Sequence, residues 1–358
     1  MLMPKFLLLI GFFSVVTPSF AQTTEYFLSV DSLSISDTVP VYSYFHQLDG
    51  QSQSGNYAFT RNQLKAGVRY PLNAHSQIEL SALSRYDYGL TFSPDSFDLF
   101  YREKNKLPAR ENTSSDMDIS ALELQGEGIE LAHVYQDKHW RVVTGLSVVT
   151  IARVLDGTLT GQLITDNDSY QGNLFLAQHY TRDTILDRQV SKDRGLGWSL
   201  RIGVEWHYDD FAISYQADDI TSRIYWDELA FTDASLQPRS VSFDENGLLS
   251  VTPNITGDEG YQTHQQSFDA LHRLHAQYHL NDKLTLNGEV IHYRQQSLPY
   301  MGADFPLADN SRMSVAYGIA DKAIAVGVQT AKFSARLQLS NIDYQQARSI
   351  GFNIGVTF

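Results

Sequence analysis

Cysteine is absent from all 358 residues, which excludes disulfides, thiolate metal sites and a lipid-bearing Cys. Beyond the first twenty residues there is also no long apolar run. The stretches are a few residues each, broken by Arg, Asp, Gln or Gly, whereas a membrane-spanning helix takes about 20. A membrane crossing, if made, must be made by strands closed into a barrel. Basic charge is scarce: 27 Lys and Arg against 41 Asp and Glu give a net charge of −14, which argues against a nucleic-acid partner. No P-loop, H-E-x-x-H, G-x-S-x-G or EF-hand spacing occurs, so neither cofactor nor metal is expected.

What is present begins with an export signal. Lys5 precedes the apolar Phe6–Val16 run, and Ser19-Phe20-Ala21 offers small residues at both positions that a signal peptidase reads. These features describe a secretory signal peptide over residues 1–21, leaving a single domain over 22–358. Tyr (20) and Phe (19) are plentiful while mean hydropathy is only −0.27. A membrane protein has so polar an average when apolar and polar residues alternate.

They do alternate, with a period of two. Leu196, Trp198, Leu200, Ile202, Val204 and Trp206 fall on one face, with Gly197, Ser199, Arg201, Gly203, Glu205 and His207 on the other. Trp198 and Trp206 would stand about 20 Å apart along the membrane normal, near the separation of aromatic girdles. Similar hairpins turn at Asn73-Ala74, Gln136-Asp137-Lys138, Tyr208-Asp209-Asp210 and Asn281-Asp282-Lys283, with further breaks at Asp321-Lys322 and Ala331-Lys332. Long polar connections are expected over Thr91–Asp118, Asp156–Gly195, Asp227–Gln266 and Ser297–Asn310. Short turns alternating with long loops predict an all-β, antiparallel transmembrane β-barrel of about 12–14 strands with long extracellular loops. One conflict stays open: if Asp321-Lys322 is periplasmic, the C-terminus falls on the wrong side, unless one break is a bulge or Glu25–Phe45 holds an extra strand.

The final segment, Ser349–Phe358, places Ile350, Phe352, Ile354, Val356 and Phe358 on one face. This apolar stripe ending in Phe resembles the β-signal of Gram-negative outer-membrane β-barrel proteins. The resemblance implies that Phe352, Ile354, Val356 and Phe358 form an assembly signal read by the barrel-assembly machinery. It also implies residence in the outer membrane, among its lipid and lipopolysaccharide.

The opposite face of the strands gives the candidate lumen: Lys65, Arg69, Arg85, Arg141, Arg201, Glu205, Arg273, His275 and Glu289, with Arg153, Arg336, Glu79, Asp87 and Asp218 in the same phase. This set leans basic, so the reading is a porin-like channel or binding barrel for small polar or anionic solutes. A charge ladder that satisfies itself competes with that reading. Two alternatives remain: an outer-membrane partner of an export or surface-assembly system, and a membrane-embedded hydrolase. The hydrolase rests only on His275 opposite Glu289, with no Ser motif beside them, so no catalytic residue is assigned.

Overall fold

The computed structural model describes residues 24–46, 48, 51–108, 110, 112–166, 169–182, 190, 194–236, 241–243, 249–251, 255–308 and 311–358. The expected signal peptide lies outside them. Among the described residues no helix is long and apolar enough to cross a membrane. The chain is instead almost entirely antiparallel strand.

In order the strands are β1 (Glu25–Ser36), β2 (Tyr57–Pro71), β3 (Ser76–Phe92), β4 (Ser114–Gln136), β5 (Trp140–Asp166), β6 (Ser169–Tyr180), β7 (Gly195–Tyr208), β8 (Phe211–Leu236), β9 (Val241–Phe243), β10 (Leu249–Val251) and β11 (Ile255–Gln266). They continue as β12 (Leu271–Asn281), β13 (Leu284–Tyr293), β14 (Gln296–Ala308), β15 (Ser311–Gly318), β16 (Ile324–Gln329), β17 (Phe333–Leu339) and β18 (Ser349–Thr357). Fourteen of them close into a barrel: β1 to β5, then β7, β8 and β12 to β18, with β18 pairing back onto β1. β6 and β11 pair with the upper parts of β5 and β8, and β6 also pairs with β9 at Tyr170–Val241, so they belong to an extension above the wall.

The closed ring settles which end is which. Glu25, the amide of Phe358 (2.9 Å from the Tyr26 carbonyl) and the turns after β2, β4, β7 and β12 lie at one end. Short turns mark the periplasmic end of such a barrel. The turns form by local chemistry. Asp137 Oδ1 accepts from the amides of His139 and Trp140, each at 2.7 Å. Those bonds, the His139 amide first, hold the Asp137 carboxyl below its usual range.

Three expectations change. Ser297–Asn310 is not a long loop but mostly the strand β14, reached through a tight turn in which Arg294 and Gln295 both have positive φ, 49° and 66°. That geometry matches the twist of a two-residue hairpin. It places Asp321-Lys322 at the extracellular end, and with β1 as an extra strand the sidedness conflict disappears. Asp156–Gly195 and Asp227–Gln266 are also largely strand: β5 runs for 27 residues and β8 for 26, more than twice the about 9–11 a span needs. The fourth loop, Thr91–Asp118, carries helix α1 (Pro94–Lys104), whose N-cap Ser93 accepts from the Ser96 amide with Pro94 in the first turn. α1 inserts Phe97 against Val39, Leu48 and Phe92.

The outer wall is apolar. Leu80, Ile129, Leu131, Leu146, Val148, Leu286 and Val326 are exposed along it, and Tyr26, Tyr70, Tyr135, Trp140, Tyr208, Tyr278 and Phe333 are exposed around the periplasmic end. Trp140 and Trp206 sit side by side there, ring centroids 6.2 Å apart. This is the lipid-facing band and one aromatic girdle. β18 presents Phe352 and Ile354 to this outer face, while Phe358 reaches the periplasmic rim.

A lumen divided by charge

Side chains from opposite walls meet inside the barrel. β1 and β12 have six wall strands between them on either side, yet Arg273 Nη2 lies 2.8 Å from Asp31 Oδ2. Asn353 of β18 donates to the same oxygen at 3.0 Å. Arg61 of β2 approaches Asp218 at 3.5 Å, Asp219 at 3.7 Å and Asp31 at 3.8 Å. Arg85 pairs with Asp87 beside it and with Asp219 at 3.0 Å. Arg61, Arg85, Asp87 and Asp219 are each at most 5% exposed. A septum of ion pairs thus divides the lumen.

One local irregularity builds much of it. In a regular strand Asp218 and Asp219 would face opposite sides. The β7–β8 register shifts between Leu200 and Ile202, and Asp219 has a φ of 59°. This bulge turns both carboxylates inward. Phe268, in the link between β11 and β12, docks beside the bulge, its amide 2.9 Å from Ser222 Oγ. Its ring lies 3.7 Å from the Arg85 guanidinium carbon, a cation–π contact that covers the charge from above.

Above the septum, apolar packing completes the closure. Leu33, Ile35 and Phe59 from one wall meet Leu271, Ile291, Tyr293 and Leu298 from the other, with Phe59 and Tyr293 edge to face at 5.1 Å. On the tall side Leu124, Ile151, Ile224, Trp226, Leu229 and Phe268 form a second cluster. Arg294 reaches across to Asp269 at 2.8 Å, and any side chain at Gly89 would occupy the space of its guanidinium.

Spaces lie below, among the described residues. Beside β2 to β8 the gap is about 10 Å³, close to one water molecule. Beside β12 to β18 is a vestibule of about 310 Å³. Its roof is Tyr300, Ala316 and Ala325, and Arg312 and Gln329 stand near its periplasmic mouth.

The residues singled out in the sequence face this interior, but in pairs. Lys65 donates to Glu130 at 2.8 Å, Arg201 to the same carboxylate at 2.8 Å, and Arg69 to Glu79 at 2.8 Å. Arg141 is the register partner of Glu205, which contacts His207 at 2.9 Å. His275 does lie opposite Glu289, but Glu289 is held by Arg336 at 2.5 Å. Arg153 is the exception. Ala152 has no register partner on β4, so the phase slips and Arg153 faces outward, where it pairs with Glu123 at 3.0 Å. Asp31, Arg61, Glu130 and Asp219 were missed. Arg61 was legible, four positions before Lys65 on the same face; Asp219, in a bulge, was not. Among the described residues no group of three His, Cys, Asp or Glu could hold a metal.

No family model matches this sequence, and no curated protein matches it. Solved structures with a similar course include the toluene transporter TbuX of Ralstonia pickettii (10% identity, TM-score 0.35, covering 94% of this chain and 89% of that one). The toluene transporter TodX of Pseudomonas putida gives 9%, 0.37, 93% and 88%, and a Pseudomonas aeruginosa FadL homologue gives 10%, 0.38, 94% and 88%. Likenesses this low carry no argument about cargo. The class rests on the barrel itself, with its closed ring, apolar belt and aromatic girdle: this is an outer-membrane β-barrel protein.

Proposed function

We propose that the protein is a gated passive barrel for small polar solutes, held shut by the septum and open to the periplasm through the vestibule. The observation that carries this reading is the Arg273–Asp31 contact between diametrically opposite strands. The pair joins strands half the ring apart and so crosses the passage. The anion preference finds no support in the charges, because the basic residues are matched by carboxylates at the same depth. The Glu289–Arg336 pair favours a binding rather than a hydrolytic role for the vestibule. β18 serves, in this reading, as the strand that the assembly machinery takes up, with lipid and lipopolysaccharide around the belt.

A second reading has one observation behind it. The sheet of β5, β6, β8 and β11 stands above the wall, a surface that an export or surface-assembly partner could use. Conductance separates the two. In planar bilayers the wild-type barrel should be nearly silent, while the double variant D31A/R273A, which leaves no unpaired charge at that contact, should open in discrete steps. Each 1.4 kcal/mol lost from the closed state shifts the closed-to-open ratio about tenfold, so openings should rise at least about tenfold. A double variant as silent as the wild type would overturn the gate and favour the second reading.

A further inference from the structure

We propose that the vestibule is a binding site for a small zwitterion, with Arg312 holding its carboxylate and Asp304 its ammonium group. This rests on the polar-solute reading above and names the solute class. Most lumenal charges spend themselves on one another: Lys65 and Arg201 on Glu130, Arg273 on Asp31, Arg336 on Glu289. Two in the vestibule do not. Arg312 gives Nε and Nη2 to the amide oxygen of Gln329 at 3.0 and 2.7 Å. Asp304, 6% exposed, accepts only from the Asn287 amide at 2.7 Å. Both of these partners are neutral.

Their placement makes them a matched pair of hooks. Asp304 is the register partner of Ser314 on β15, and Arg312 is the partner of Pro306 on β14. The two are therefore diagonal neighbours on the lumenal face, with backbones about 7–8 Å apart, and no ion pair joins them. A buried or half-buried charge with no counter-charge in contact is costly. A simple anion would relieve Arg312 and leave Asp304 alone, and a simple cation would do the reverse. A molecule carrying both charges relieves both at once. Charge-assisted hydrogen bonds to guanidinium and carboxylate are the strong kind. Gln277, Asn287 and Ser314 on the same lining offer neutral donors and acceptors for the body of the ligand. The space, about 310 Å³, is at the lower end of small-molecule pockets.

The probe is the dipeptide alanyl-alanine, titrated by calorimetry into the full barrel in detergent. It should bind, and blocking either its amine or its carboxylate should weaken binding about tenfold, the scale of one charged hydrogen bond. The variants assign the ends. R312Q should lose its sensitivity to carboxylate blocking and keep that to amine blocking, and D304N should show the reverse. Equal binding of free and doubly blocked dipeptide would overturn the proposal without any variant, as would no heat from the free dipeptide at millimolar concentration. Failure here with D31A/R273A channels opening as expected refutes the zwitterion alone; binding without channels refutes the gate alone.

Discussion

Replacing Arg85 with Leu should lower barrel stability by about 3–5 kcal/mol, the scale for removing one partner of a buried ion pair. Arg85 is 4% exposed and answers two carboxylates, Asp87 and Asp219, on different strands. Without it both remain in a space whose nearest other cation is Arg61, already shared with Asp31 and Asp218. The Phe268 ring also loses its cation. The unboiled barrel on a denaturing gel reads the effect, since the temperature at which the compact band disappears should fall by roughly 5–10 °C. The triple variant R85L/D87L/D219N should recover most of the loss, because the penalty lies in the unmatched charges rather than in the missing side chain. A single variant as stable as the wild type would show that the septum is hydrated and loose.

Phe352→Arg should abolish assembly in the membrane rather than alter a finished barrel. Phe352 is 40% exposed on the outer face of β18 and pairs with Leu337 of β17 and Ser32 of β1 at the seam that closes the ring. A basic residue on the lipid face near the bilayer midplane costs about 2–4 kcal/mol, falling to about 0–1 near the interface. Phe358→Arg, at the periplasmic rim, should therefore cost much less in stability. Surface-exposed protein, counted by labelling in intact cells, should drop severely for Phe352→Arg. Normal levels would show that the seam forms without an apolar stripe there.

The barrel was legible because a lipid-facing wall imposes a strict period of two. That period gave the phase of β2, β3, β7 and β12 and with it Lys65, Arg69, Arg85, Arg201, Arg273 and His275. It failed where the backbone departs from the period. The unpaired Ala152 reversed Arg153, and the bulge at Asp219 added a carboxylate that strict alternation sends into lipid. The loops misled for a different reason. Above the membrane the sheet covers a small core of its own, Leu163, Tyr170 and Leu174 against Met117, but Gly, Thr, Gln and Asp stand between its apolar residues, so the upper parts of β5, β6, β8 and β11 read as polar connection. Before β14 the two-residue turn uses Arg294 and Gln295 where Asn-Gly or Gly would have announced it. Partnering was beyond sequence reach. Alternation says that Arg273 points inward, but only the closed ring brings Asp31 to it from the far wall.

The absence of cysteine gives the most direct test, because one can be introduced without removing another. Ser314 lines the vestibule, below the septum and the Tyr300 roof. A Ser314→Cys barrel, offered a membrane-impermeant maleimide, should label rapidly once the outer membrane is permeabilised and the periplasmic mouth becomes reachable. In intact cells it should stay unlabelled. Labelling at equal rates in intact and permeabilised cells would contradict the account, since it would mean that the path from outside runs past the septum unobstructed.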